Sequence, residues 1–170
     1  MTPSIQESLG TLRENVDRFM ALCLARHREA MACRAGCASC CAADLTVFPV
    51  EAAPLAAAVD ALSDDLRAAV RARAAAGTHC ALLVDGRCAV YAARPILCRT
   101  QGLALALDDG TVAACPLNFD GAPERVPPED RLDLSRLNLM LSMLHRAYAT
   151  VEGIPEDRVR LADIALRPSF

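Results

Sequence analysis

Apolar residues in the first segment of the chain recur at every third or fourth position. They are Ile5, Leu9, Leu12, Val16, Phe19 and Cys23. This spacing places side chains on one face of an α-helix, and charged residues occupy the other positions. Ser4 and Glu7 form a capping box at the start, and Gly36 can end the helix in a left-handed conformation. We therefore expect a helix from about Ile5 towards Gly36, with Cys23 buried as a small hydrophobic residue.

The middle of the chain predicts two helices followed by two hairpins. A β-favouring run from Asp44 to Phe48 stops at a proline, and the alanine-rich stretch 50–76 predicts two helices separated near Ser63, which can cap the second. Apolar runs then flank Asp85-Gly86 and Asp108-Asp109-Gly110. Because Asp-Gly favours tight turns between strands, each pair of apolar runs with its central turn predicts a β-hairpin.

The last part of the chain predicts two more helices after an irregular, proline-rich stretch. One runs from about Leu134 to Val151 with Asp133 as its cap, and another from Pro155 to about Leu166. The expected inner face of the longer helix consists of Leu137, Leu141, Leu144, Tyr148 and Val151. The predicted fold class is therefore mainly α with a small, β-hairpin-rich, cysteine-bearing insert (α+β).

Composition excludes several classes of function. The 170 residues contain no linker-like stretch, which predicts a single domain over 1–170. A net charge of −3 provides no basic field, so we expect no nucleic-acid partner. No apolar run approaches the roughly 20 residues that cross a bilayer, and the start shows no secretory pattern. We therefore expect a soluble, cytoplasmic protein with no membrane partner.

Cysteine spacing gives the strongest indication of chemistry. The chain has nine cysteines, and four of them crowd together as Cys33, Cys37, Cys40 and Cys41. Four others lie near the ends of the predicted hairpin elements: Cys80, Cys88, Cys98 and Cys115. Clustered thiols in a reducing cytosol are more often metal ligands than disulfides. We therefore expect a domain stabilised by a bound metal, with its metal-binding region over 33–116.

The number of thiols limits the kind of metal centre. Setting Cys23 aside from the nine leaves eight, which suits two four-thiolate centres or one multinuclear cluster. Adjacent side chains such as Cys40 and Cys41 project in different directions, so we expect them to bind different metal atoms, which favours two centres lying close together. Sulfur ligands suit zinc and iron, including an iron–sulfur cluster. The partner that the sequence predicts is thus a metal ion.

Charged and polar residues beside the cysteines have supporting roles at most. Four arginines can balance thiolate charge: Arg34, Arg87, Arg94 and Arg99. Arg94 and Arg99 flank the turn that carries Cys98 and are the stronger candidates. We expect His27, His79 and His145 at the surface. No catalytic triad or phosphate-cradling loop can be assembled, so no catalytic residue is assigned.

The cysteine pattern resembles a known family. The motifs are Cys33-x3-Cys37-x2-Cys40-Cys41, Cys80-x7-Cys88, Tyr91-x2-Arg94-Pro95-x2-Cys98-Arg99 and Cys115-Pro116. Together they look like the YkgJ or CxxCxxCC family, described as zinc- or iron-chelating proteins. The resemblance implies that the eight cysteines from Cys33 to Cys115 are the metal-binding set and that Cys23 is not. Some larger relatives are implicated in flagellin lysine methylation and carry an iron–sulfur cluster.

Three classes of function follow. The first is a metal-chelating protein with a structural or metal-handling role, and it is the one we expect. The second is an iron–sulfur protein for electron transfer or redox sensing. The third is an enzyme, either related to protein lysine methylation or of the radical S-adenosylmethionine type, whose cluster motif has the spacing of Cys33, Cys37 and Cys40.

Overall fold

A computed structural model of the protein describes residues 1–167. The helices are α1 (Pro3–Arg26), α2 (Pro49–Asp60), α3 (Asp64–Ala76), α4 (Ile96–Thr100), α5 (Leu134–Glu152) and α6 (Leu161–Leu166). The strands are β1 (Thr46–Val47), β2 (Leu83–Val84), β3 (Arg87–Cys88), β4 (Ala104–Ala106), β5 (Val112–Ala113), β6 (Arg131–Asp133) and β7 (Val159–Arg160). Long helices with short strands confirm the predicted mainly α, α+β class. Within residues 1–167, no helix is both long and apolar enough to span a bilayer.

The described residues form two compact units. The α1 unit comprises Thr2–Arg34 and Ile96–Leu144, and the α2/α3 unit comprises Met1, Ala35–Pro95 and residues 145–167. Each unit is assembled from segments that are distant in sequence. The expectation of a single domain stays a prediction.

In the α2/α3 unit, apolar side chains from three helices and a hairpin share one core. Its fully buried members include Leu55, Val70, Leu82, Leu161 and Ile164. Ser63 caps α3 as predicted, since its side-chain oxygen accepts from the N–H of Leu66 at 3.4 Å. Strand β1 pairs antiparallel with β7. Because that pairing uses Val159 and Arg160, the last helix begins at Leu161, and the predicted start at Pro155 is wrong.

The first predicted hairpin is confirmed in the same unit. Leu83 lies opposite Cys88 and Val84 opposite Arg87. Asp85 and Gly86 both have positive φ, at 49° and 72°, as a tight type I′ turn requires. The hairpin thereby holds Cys88 against the end of β2, close to the core.

Helix α1 begins and ends at different residues from those predicted. Thr2 is the cap, accepting from the N–H of Ile5 at 3.5 Å, and Pro3 occupies the first turn, so the capping box at Ser4 is wrong. The helix ends at Arg26, well before Gly36. Gly36 does have a positive φ of 89°, but in a later turn. The expected inner face is largely confirmed, with Cys23 only 1% exposed.

The second predicted hairpin is also confirmed, in the α1 unit. Leu105 on β4 pairs antiparallel with Ala113 on β5. On its other side, Leu105 pairs parallel with Leu132 on β6, which makes a three-stranded sheet. The parallel pairing was not predicted, because it joins segments that no local turn connects.

Helix α5 has the expected bounds, and its predicted inner face is confirmed in part, since Leu137, Leu141 and Tyr148 are buried. The Asp133 carboxylate accepts from the N–H of Arg136 at 2.9 Å, which confirms the cap. Val151 is 55% exposed, whereas His145 is only 2% exposed, so the predictions for both are wrong. The imidazole of His145 stacks on Phe48 with ring centroids 4.7 Å apart, and Nε2 lies 3.0 Å from the carbonyl oxygen of Glu156.

Candidate metal centre

The thiols divide between the two units. No disulfide joins any of the nine cysteines, all of which lie in the described part of the chain. The α2/α3 unit contains Cys37, Cys40, Cys41, Cys80 and Cys88, and the α1 unit contains Cys23, Cys33, Cys98 and Cys115. Each unit therefore has cysteines from more than one segment of the sequence.

Four thiols of the α2/α3 unit form a group that we call the thiol quartet, defined as Cys40, Cys41, Cys80 and Cys88. The N–H of Cys80 donates to the carbonyl oxygen of Cys41 at 3.0 Å, which joins the cysteine-rich loop to the hairpin. The side chains of Cys41 and Cys88 pack against the core cluster that contains the buried Cys80. The Cys40 and Cys41 thiols are hydrogen-bonded to each other.

Burial and mutual repulsion make it unfavourable for several thiols of the quartet to be ionised at the same time. Burial raises the pKa of Cys41 to about 12, and negative charge on Cys40, Cys80 and Cys88 adds to the increase. Burial likewise raises the pKa of Cys80, with Cys88 and Cys40 contributing in the same direction. A divalent cation among these sulfurs would remove the repulsion, so the donor set fits zinc or iron.

Backbone N–H groups oppose this effect of burial at two of the sulfurs. The N–H groups of Leu82 and Leu83 hydrogen-bond to the Cys80 thiol and lower its pKa relative to burial alone. The N–H of Val90 acts in the same way on Cys88. Hydrogen bonds of this kind orient a thiolate and stabilise its charge in metal sites. The three donors come from strand β2 and from the turns on either side of the hairpin.

The two candidate arginines have different surroundings. The positive charge of Arg94 lowers the pKa of the Cys88 thiol, opposing the larger effect of burial. Its guanidinium lies 4.0 Å from the centre of the Tyr91 ring. Arg99 is buried in the α1 unit and forms an ion pair with Asp17 on α1. Arg94 therefore lies near a quartet sulfur, whereas Arg99 joins α4 to α1.

In the α1 unit, Asn118 links three segments that carry cysteines. Its Nδ2 donates to the Gly102 carbonyl oxygen at 2.7 Å and lies 3.4 Å from the Cys33 sulfur. Its Oδ1 accepts from the N–H of Ala32 at 2.8 Å, and its own N–H donates to the Cys115 carbonyl oxygen at 2.9 Å. Sequence analysis missed Asn118, which sits in an irregular stretch. The only signal was its position just after Cys115-Pro116.

Comparison with known families agrees with the cysteine pattern. Residues 32–116 match the CxxCxxCC family, which is described as a "Putative zinc- or iron-chelating domain". The chain belongs to the CxxCxxCC family. All eight cysteines from Cys33 to Cys115 lie within the matched CxxCxxCC segment, whereas Cys23 and Asn118 lie outside it. No curated protein and no solved structure matches the chain.

The other thiols of the CxxCxxCC segment have varied surroundings. Cys37 is exposed beside the turn at Gly36, and Cys33, Cys98 and Cys115 are half-buried. Within residues 1–167, no three side chains among Cys, His, Asp and Glu are already arranged to hold a metal ion. Metal binding at the thiol quartet would therefore require its side chains to rotate towards a common point.

The histidines His79 and His27 have different surroundings. His79 is exposed, as predicted for a loop residue. His27 is not the surface residue that the sequence suggested, because its Nε2 lies 2.8 Å from the Asp130 carboxylate. Arg26 also pairs with that carboxylate, and the Cys23 thiol lies 3.6 Å from the Asp130 carbonyl oxygen. These contacts hold the end of α1 against the turn before β6.

Proposed function

We propose that this CxxCxxCC protein chelates zinc or iron through cysteine thiolates at two sites, one in each unit, in a structural or metal-handling role. The observation that carries the proposal is the thiol quartet, in which two segments 39 residues apart are joined by the bond between Cys80 and Cys41. Core packing alone gives no reason to bring four thiols together. Four sulfur ligands match the coordination of a structural zinc site.

The residues of the quartet have distinct roles in this proposal. Cys40 and Cys41 come from the cysteine-rich loop, and Cys80 and Cys88 come from the hairpin. The backbone N–H donors to Cys80 and Cys88 would hold those two sulfurs in place, and the charge of Arg94 would partly balance the thiolates. A bound cation would supply the positive charge that keeps the four sulfurs together.

The second proposed site uses the thiols of the α1 unit that lie in the CxxCxxCC segment, namely Cys33, Cys98 and Cys115. Asn118 joins the backbone next to Cys33 and Cys115 to the turn at Gly102, which follows the α4 helix that carries Cys98. Three thiolates leave one position of a tetrahedral site for another ligand. Cys23 is not proposed as a ligand, because it is buried on the apolar face of α1.

The test is anaerobic purification of the full chain, followed by measurement of zinc, iron and acid-labile sulfide and by an absorption spectrum. Zinc or iron in stoichiometric amounts without sulfide would support the proposal. Sulfide with broad brown absorbance would replace it by the iron–sulfur redox function. A reduced, folded protein that binds neither metal would overturn both functions.

A further inference from the structure

We propose that Asn118 and Gly102 form a cradle that positions the Cys33 sulfur and donates an N–H to it when that sulfur binds a metal. This inference rests on the proposed function for the α1 unit. It assigns a positioning role to two residues that contribute no sulfur. Asn118 also lies beyond the segment that matches the family.

The orientation of the Asn118 amide is fixed by its partners. The side chain is buried, with the residue only 1% exposed. A carbonyl oxygen can only accept and a backbone N–H can only donate, so the atom facing Gly102 is the nitrogen and the atom facing Ala32 is the oxygen. The nitrogen lies 3.4 Å from the Cys33 sulfur. Its second N–H is therefore available to that sulfur and not to water.

Gly102 provides the space that the sulfur occupies. A Cβ built on Gly102 would fall well inside van der Waals contact of the Cys33 sulfur and lie 3.1 Å from Asn118 Nδ2. The φ of Gly102 is also +94°, a conformation that favours glycine. Any side chain here would displace the sulfur, the amide or the backbone. The Cys33 sulfur thus lies against the backbone of Gly102, just after the end of α4.

The backbone around Asn118 holds the amide in position. The N–H of Phe119 donates to the Ala30 carbonyl oxygen at 2.6 Å, next to the hydrogen bond from Asn118 to Cys115. Phe119, Asp120 and Gly121 all have positive φ, at 57°, 53° and 70°. For the two residues that are not glycine, this conformation is unfavourable because it brings the Cβ atom too close to the backbone. Surrounding contacts must therefore stabilise the turn, and the buried Phe119 ring supplies one against His27.

An N–H donor changes the chemistry of the sulfur as well as its position. A hydrogen bond withdraws electron density from a thiolate, which stabilises its charge and weakens its donation to a metal. The absorption band for charge transfer from sulfur to cobalt(II) then lies at higher energy. Loss of the N–H donor should move this band to longer wavelength. A residue with a purely structural role would not move the band in this way.

The experiment uses the full chain, reduced and loaded with Co²⁺ as the probe. Asn118→Ala should shift the sulfur-to-cobalt band to longer wavelength, and it should weaken Co²⁺ binding at the α1-unit site about tenfold because the sulfur is no longer held in position. Asn118→Asp, which keeps an acceptor for the Ala32 N–H, should shift the band in the same direction. Asn138→Asp is the matched control, because it makes the same change on the exposed side of α5 and should leave the spectrum unchanged. The Cys33→Ser difference spectrum identifies the part of the band that belongs to Cys33.

A glycine pair provides an independent test if the Asn118 variants do not fold. Gly102→Ala should weaken Co²⁺ binding, whereas Gly110→Ala should not, since Gly110 has a similar φ of 80° but open space around it. Bands that are unchanged in both Asn118 variants, or equal effects of the two glycine variants, would overturn the inference. A wild-type protein without any cobalt–thiolate band would instead reject the proposed function itself.

Discussion

The backbone N–H of Cys80 donates to the carbonyl oxygen of Cys41 at 3.0 Å. This bond joins the cysteine-rich loop to a hairpin whose paired strands are each two residues long. Strands of that length bury little surface of their own. The contact thus brings the thiol quartet together without strong support from the sheet, and a bound cation would supply the missing stability.

Metal removal should therefore loosen the hairpin before the helices. With a chelator added, we expect protease cleavage within residues 80–91 to become faster while the helical circular dichroism changes little. Limited proteolysis followed by mass spectrometry would locate the cuts. Re-addition of zinc is the control and should restore protection. Unchanged protease resistance after complete metal removal would count against a stabilising role for the metal.

Metal affinity should increase with pH. The pKa of Cys41 is raised to about 12, and those of Cys80 and Cys88 are raised as well, so these thiols are protonated at neutral pH without metal. Each thiol that binds as a thiolate must release its proton, which changes the affinity about tenfold per pH unit. We expect zinc to bind at least about a hundredfold more tightly at pH 7 than at pH 6. Competition with a chromophoric chelator would measure this, and equal affinities would contradict the quartet as the site.

Asp130 should stabilise the α1 unit through the end of α1. Its carboxylate contacts His27 and Arg26, and these contacts lower its pKa, so the stabilisation is present above the usual carboxyl pKa and is lost as the pH falls below about 4. Asp130→Asn should lower the free energy of unfolding at pH 7 by about 2 kcal/mol. Urea denaturation would measure the loss. Glu129→Gln, an exposed neighbouring change, should have little effect.

Local signals in the sequence predicted most of the regular elements. Asp85-Gly86 specified one hairpin, and Ser63 specified the start of α3, because such turns and caps depend on a few adjacent residues. The periodicity of α1 predicted its buried face, including Cys23. The run of cysteines from Cys33 to Cys41 was visible as spacing alone, whereas its division between the two units was not.

Long-range contacts account for what the sequence did not predict. Helix α1 ends at the point where Arg26 and His27 contact Asp130, which is over a hundred residues away in the sequence. The parallel pairing of β4 with β6 also joins distant segments. His145 was placed at the surface because histidine counts as polar in a periodic pattern, yet stacking on Phe48 and a bond to the Glu156 carbonyl oxygen accommodate it in the interior. Asn118 was not identified from the sequence because its hydrogen-bond partners lie in distant segments of the α1 unit.

The most direct test of the account is the metal content of full-length variants purified anaerobically. A Cys40→Ser, Cys41→Ser double variant should lose the metal of the thiol quartet but keep that of the α1 unit, so its metal content should fall in part. Cys23→Ser should keep the wild-type content, because Cys23 is buried away from the proposed ligands. Equal metal content in the wild type and the double variant would contradict the account.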